Sequence, residues 1–320
     1  MKKTKNLVID LGTNTAIFSV IEVLENEFII TYEKSITTRI GKNLSKTSII
    51  SKDILMANIA ALRSELEHVQ RIYKPDNVYA MTTEWMRKAK NGAECLQEIQ
   101  KELKIPFEMI RGEEEALYTL DAIRHLASNQ GFDDLAVCDI GGGSTEFCFF
   151  KQKALSENVQ ILDLRSLPLG VVLLEEQFGL TGNAKNIEIA SIKIKELLSP
   201  VIISPKVLLV SGGTATTIAT MIMGGKDYDP IPVEGFKLTE AKLNALLKKL
   251  QTLSLEDIKK ILISDPKRSD LIIAGTLLLK TIIQKLNPSR TLVTTLGPRH
   301  GYLIKKTGIK KLKDIKYRLK

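Results

Sequence analysis

Leu7-Val8-Ile9-Asp10-Leu11-Gly12-Thr13-Asn14-Thr15 decides the fold, because the chain writes the same pattern again at Asp139-Ile140-Gly141-Gly142-Gly143-Ser144. Each copy is an apolar run, an Asp, a Gly turn and a hydroxyl residue leading into another apolar run. Asp139 stands 129 positions after Asp10. An internal duplication is the simplest account. Working outward, residues 7–10, 16–23 and 28–31 read as three strands of an antiparallel meander. Residues 53–73 read as a helix, with Ile54, Leu55, Ile59, Leu62, Leu66 and Val69 at helical spacing. Short strands are expected at 78–81 and 105–110, flanking a second helix, and Gly112 opens a helix carrying Leu117, Leu120, Ile123 and Ala127. The class is α/β, with two similar lobes facing each other across a cleft. The boundary is expected near Asn129-Gln130-Gly131, giving domains 1–128 and 129–320, with the last helix packing back on the first domain.

A chain of 320 residues exceeds the size at which one core keeps growing, which also favours two domains. At 44% hydrophobic and 26% charged residues, it has the composition of an ordinary globular protein. The start, Met1-Lys2-Lys3-Thr4-Lys5, runs straight into the first strand, so no signal-peptide apolar region can be drawn and a cytoplasmic location is expected. Residues 271–279 form an apolar run far short of the ~20 residues a bilayer requires. Cys95, Cys138 and Cys148 lack zinc-type or CxxC spacing and read as reduced packing residues. The net charge of +9 is concentrated at one end: Lys305, Lys306, Lys310, Lys311, Lys313, Lys316, Arg318 and Lys320 stand against Asp314. This reads as the solvated face of a terminal helix, or as a field that gathers polyanions. No zinc finger, aromatic RNA-binding signature or basic zipper supports a nucleic-acid partner.

Three turns combine Gly with hydroxyl residues directly after apolar strands: Gly12-Thr13-Asn14-Thr15, Gly141-Gly142-Gly143-Ser144-Thr145, and Ser211-Gly212-Gly213-Thr214. Glycine lets successive backbone N–H groups converge on one anion, and Ser or Thr adds a donor, so such turns suit phosphate. The third runs into a helix, whose N-terminus favours negative charge. No GxxxxGK[ST] or GxGxxG occurs, which excludes P-loop and dinucleotide-binding readings. Asp10 and Asp139 stand beside the turns, where a divalent cation could be held, and Glu146 begins the return strand within reach of the same metal or of an attacking water. Glu113-Glu114-Glu115 opens a helix. Acidic residues there also complement the helix dipole, and at a spacing of about 100° at most one or two can face a cleft.

With these residues in place, the chain resembles the exopolyphosphatase and guanosine pentaphosphate phosphohydrolase (Ppx/GppA) family, part of the actin, sugar-kinase and Hsp70 superfamily. The resemblance runs through Ile9-Asp10-Leu11-Gly12-Thr13-Asn14-Thr15, Met81-Thr82-Thr83 with Arg87-Lys88-Ala89-Lys90-Asn91, and Ile110-Arg111-Gly112-Glu113-Glu114-Glu115-Ala116. It continues through Asp139 to Glu146, Leu167-Pro168-Leu169-Gly170, Ser211-Gly212-Gly213-Thr214 and Gly297-Pro298-Arg299-His300-Gly301. It implies two duplicated actin-like (ribonuclease H-like) domains and hydrolysis of the terminal phosphoanhydride of polyphosphate or guanosine pentaphosphate. The Gly turns, Arg87, Asn91 and Arg299 would grip phosphate. A glutamate, Glu115 with Glu114 as the alternative, would activate water, and Asp10, Asp139 and Glu146 would serve Mg2+ and the nucleophile. A homodimer is a family-level expectation.

Two departures stand out. Arg111 replaces the family's usual Ser beside the glutamates, and Leu173 stands where many relatives carry Arg. A kinase of the same superfamily would share the Ser211 to Thr214 loop, but would not need a glutamate to activate water. A non-catalytic polyphosphate or alarmone sensor would keep the turns, whereas the retained Glu114, Glu115, Glu146, Asp10 and Asp139 argue for chemistry.

Overall fold

The computed structural model describes residues 3–83, 85–130, 134–152, 159–225, 227–262, 265–309 and 312–319. Among these, twelve strands form two six-stranded sheets. In the first, β1 (Thr4–Leu11), β2 (Thr15–Leu24) and β3 (Glu27–Thr37) make the antiparallel meander, β4 (Asn77–Thr82) joins β1 in parallel, and β5 (Phe107–Met109) joins β4 in parallel. In the second, β6 (Asp134–Ile140), β7 (Thr145–Gln152) and β8 (Val159–Leu167) repeat the meander. There β9 (Val207–Ser211) and β11 (Arg290–Val293) take the parallel positions, with β10 (Lys237–Leu238) antiparallel at the edge beside β11. The duplication reaches fine detail. The β2–β3 ladder slips between Val20 and Ile21, and the β7–β8 ladder slips between Phe149 and Phe150, the same 129-residue offset.

Local chemistry explains the main elements. β1 and β6 are apolar on both faces because both faces are covered. Leu7, Ile9 and Leu11 pack on α1 (Lys52–Tyr73) through Ile59, Leu62 and Leu66, while Val8 joins Met81 and Tyr302 on the other side. α1 starts where Ser51 accepts a hydrogen bond from the Ile54 amide, 3.3 Å away, and ends at Lys74 in left-handed geometry before Pro75. In the second lobe the helices Val171–Phe178 (α3), Gly213–Ile222 (α4) and Ile272–Leu286 (α5) share one core with Ala136, Cys138 and Ile140. All three cysteines are free and buried.

Two helices lie between the sheets and interlock the lobes. α2 (Gly112–Gln130) buries Ala116, Leu120 and Ile123 against Val137, Cys148 and Phe150 of the second sheet. α6 (Pro298–Thr307), late in the sequence, sends Tyr302 under the first sheet, where its hydroxyl donates to the Ala80 carbonyl at 3.2 Å. Tyr118 of α2 meets Tyr302 of α6 with ring centroids 5.8 Å apart. α2 runs through Gln130, past the expected break at Asn129, and residues 131–133 lie outside the described residues.

The basic end of the chain departs from the expected helix. α6 stops at Gly308, and Asp314–Tyr317 forms β12, which pairs in parallel with β3 at the edge of the first sheet. Leu312 and Ile315 sit among core residues of the first lobe, so tertiary pairing overrides a spacing that also fits a helix. The field is partly neutralised. Lys305 donates to the Tyr118 hydroxyl (2.9 Å), Lys306 pairs with Glu108, and Lys316 pairs with Glu27 (3.0 Å). Lys310, Lys311 and Lys320 lie outside the described residues. No helix among the described residues is long and apolar enough to cross a membrane.

Candidate active site

The first two Gly turns close with one and the same bond. The Gly12 amide donates to the Thr15 carbonyl at 2.9 Å, and the Gly141 amide donates to the Ser144 carbonyl at 3.0 Å. The second turn is strapped from behind by the start of α3, where the amides of Val171 and Val172 donate to the carbonyls of Gly141 (3.1 Å) and Gly142 (2.9 Å). Gly170 sits where any Cβ would run into the Gly142 backbone, which gives Pro168-Leu169-Gly170 its structural meaning. The third turn, with Gly212 at a φ of 92°, leads into α4. All three turns open on one cavity of about 470 Å³ between the lobes.

The cavity gathers Asp10, Glu115, Asp139, Arg299 and the residues of the turns except Thr145. The Thr145 hydroxyl is buried and donates to the Leu169 carbonyl. Asp10 and Asp139 are buried under the turns, and desolvation pushes their carboxyls up to about 6 and about 7. The Asp10 charge adds to the rise at Asp139, and the Arg299 guanidinium counters it at both. The two glutamates of the α2 start part company. Glu115 lines the cavity, whereas Glu114 accepts from the Arg111 amide (3.0 Å) and its side chain (3.3 Å). Those bonds hold the Glu114 carboxyl below its usual range, so the Arg at position 111 engages Glu114.

Glu146 and Asn91 stand apart from the cavity wall. Glu146, 1% exposed, accepts from Ser166 Oγ at 2.8 Å behind the cavity wall. Asn91 brackets the Ile50 backbone, accepting from its amide and donating to its carbonyl at 2.9 Å each, and is absent from the cavity wall. The Arg87 side chain lies outside the described residues. Arg299 is engaged by Glu33, with Nη2 to Oε2 at 2.8 Å and Nε at 3.1 Å, and reaches Ser19 and the Thr295 carbonyl.

Sequence reading missed Arg268, Asp265 and Glu33. Arg268 comes from the second lobe, donates to Thr15 Oγ1 at 3.0 Å, lies against Gly213, and pairs with Asp265 at 2.8 Å. Thr37 of the first lobe donates to the same Asp265 at 2.9 Å, so the pair bridges the cleft mouth. No glycine or spacing pattern marks these positions. Their partners in the other lobe lie more than two hundred residues away in the chain. The wall also carries Thr216, Thr217, Thr220, Met221, Ile261 and Leu262.

Among the described wall residues the cations are Lys34, Arg268 and Arg299, and each already faces a protein carboxylate, namely Glu65, Asp265 and Glu33. Asp10 and Asp139 offer hard oxygen donors, and no cluster of three or more His, Cys, Asp or Glu is found among the described residues. That sparse set suits Mg2+, which is bound by one or two carboxylates together with substrate phosphates.

The family model described as the Ppx/GppA phosphatase family matches residues 19–308. The chain is similar to a bifunctional 3-dehydroquinate synthase/phosphatase from Fusobacterium nucleatum subsp. nucleatum, with 26% identity over 290 residues, 86% of this chain. It spans only 42% of that relative's length. An Aquifex aeolicus PPX-GPPA enzyme superposes with a TM-score of 0.75 at 25% identity, covering 95% of this chain and 100% of that one. An exopolyphosphatase from Cytophaga hutchinsonii superposes with a TM-score of 0.82 at 20% identity, covering 95% and 98%. The structural likenesses establish the actin-like fold.

Proposed function

Because the chain belongs to the Ppx/GppA phosphatase family, we propose that it hydrolyses the terminal phosphoanhydride of inorganic polyphosphate or guanosine pentaphosphate in the interlobe cavity. The observation that carries this reading is that Glu115, both Asp-Gly turns and the α4 N-terminus share one cavity. Phosphoryl transfer asks a protein mainly for positioning and charge neutralisation. Amides and hydroxyls of the turns cradle the terminal and penultimate phosphates. Glu115 takes a proton from water as the water oxygen bonds to the terminal phosphorus. The bridging P–O bond breaks, and its electron pair leaves with the shortened chain. Mg2+, held by Asp10 and Asp139, would supply the positive charge that the paired arginines do not.

Part of the cavity wall supports guanosine pentaphosphate over long polyphosphate. Thr216, Thr217, Thr220, Met221, Ile261 and Leu262 offer hydroxyl and apolar surface rather than cations, which suits an organic group beyond the phosphates. The test is release of inorganic phosphate, with Mg2+, from long polyphosphate, tripolyphosphate and guanosine pentaphosphate. Release, fastest from the nucleotide, is expected. Binding of these ligands without release from any of them would replace the hydrolase with a non-catalytic sensor.

A further inference from the structure

Asp139, Glu146 and Ser166 are successive neighbours in one row across β6, β7 and β8. The matching row across β1, β2 and β3 is Asp10, Ile17 and Ser35. Directly paired residues of neighbouring strands share a face. The duplication has therefore kept Asp and Ser at the ends of both rows and placed a carboxylate between them in the second lobe alone. Ile17 and Ser35 open on the cavity. Glu146 does not, because the start of α2 covers it: a Cβ on Gly112 would run into the Ser166 side chain and come within 3.5 Å of Glu146 Oε1. The helix thus rests on the Ser166–Glu146 pair, and Glu115, in its first turn, faces the cavity from that seat.

We propose that Ser166 is a positioning residue for the hydrolysis. Its hydroxyl fixes the Glu146 side chain, and the pair sets the direction in which α2 presents Glu115. The proposal rests on the reading of Glu115 as the group that activates water. Ser166 is absent from the cavity wall, so it acts through Glu146 and the helix start. A serine fits because it is small enough to lie under Gly112 and supplies the donor that a buried carboxylate requires. Small misplacements of a reacting group are costly in rate.

The experiment compares Ser166→Ala, which removes the donor, with Ser166→Cys, which keeps the shape with a much weaker donor. Both are expected to lower kcat about tenfold or more with KM within about twofold. In a Glu146→Ala background, Ser166→Ala should change kcat by less than about twofold. Amide hydrogen exchange of residues 113–118 should quicken in Ser166→Ala more than that of residues remote from α2. Full activity in Ser166→Cys, an equal loss in both backgrounds, or unchanged exchange at the helix start would each overturn the seat. If the wild type hydrolyses none of the anhydrides, the hydrolase reading falls, and the exchange measurement still decides whether Ser166 orders the helix.

Discussion

Asp139 lies close enough to Asp10, across the cleft between the duplicated turns, for the Asp10 charge to help raise its carboxyl to about 7. With Asp10 raised to about 6, the folded ligand-free chain holds protons that an unfolded aspartate releases near 3.8. The folded state therefore binds more protons than the unfolded one between these values, and stability falls as pH rises through that window, levelling above about 7. The melting temperature of metal-free protein should drop from pH 5 to pH 8. Added Mg2+ should raise it more at pH 8 than at pH 5.5, since the ion needs ionised carboxylates. Asp139→Asn should flatten both trends. A wild-type melting temperature independent of pH and Mg2+ would contradict the arrangement.

The two glutamates of the α2 start should separate cleanly in kinetics. Glu115→Gln is expected to lower kcat by at least about a hundredfold, the usual scale for loss of a general base. Glu114→Gln should stay within a few-fold of wild type, because that side chain is occupied by Arg111. Single-turnover phosphate release decides it, and the reverse ranking would transfer the role to Glu114.

Arg299 and Glu33 form a buried pair, with side chains 8% and 11% exposed. Removing one partner strands the other in a poorly solvated site, so Glu33→Ala should cost about 3 kcal/mol or more in urea unfolding. Glu33→Ala combined with Arg299→Met should cost less than Glu33→Ala alone. Additive losses would mean that the pair is not coupled.

Trp85 is the single tryptophan of the chain and lies buried beneath the first turn, its Nε1 donating to the Leu11 carbonyl at 3.0 Å. Its emission should be blue-shifted in the free protein and should change in intensity when tripolyphosphate and Mg2+ are added together. Titration by fluorescence measures this. An unchanged signal at saturating ligand, established by calorimetry, would show that the first turn does not respond to phosphate.

How far the chain could be read before its structure depended on the distance over which each residue acts. The Asp10 and Asp139 units were legible because strand, Asp and turn sit within a few consecutive positions. Arg268 and Glu33 were not, since their meaning lies in partners contributed by the other half of the molecule. Asn91 shows the opposite case, a residue in a suggestive segment whose amide is taken up by the Ile50 backbone. Residues 312–319 misled because Leu312, Ile315 and Leu319 suit a helix by spacing, whereas the open edge of β3 makes residues 314–317 a strand.

The parallel pairing of β12 with β3 carries a consequence for biosynthesis. At roughly 5–20 residues per second, a ribosome that has made β3 needs about 15 to 60 s to reach residue 314. Through that interval the nascent first lobe presents an unpaired strand edge, the kind of surface that invites misassembly. Slow translation or crowded polysomes should therefore lower soluble yield more than they lower the stability of the finished protein. Asp314 and Lys316 on β12, once in place, leave the sheet with a charged rim.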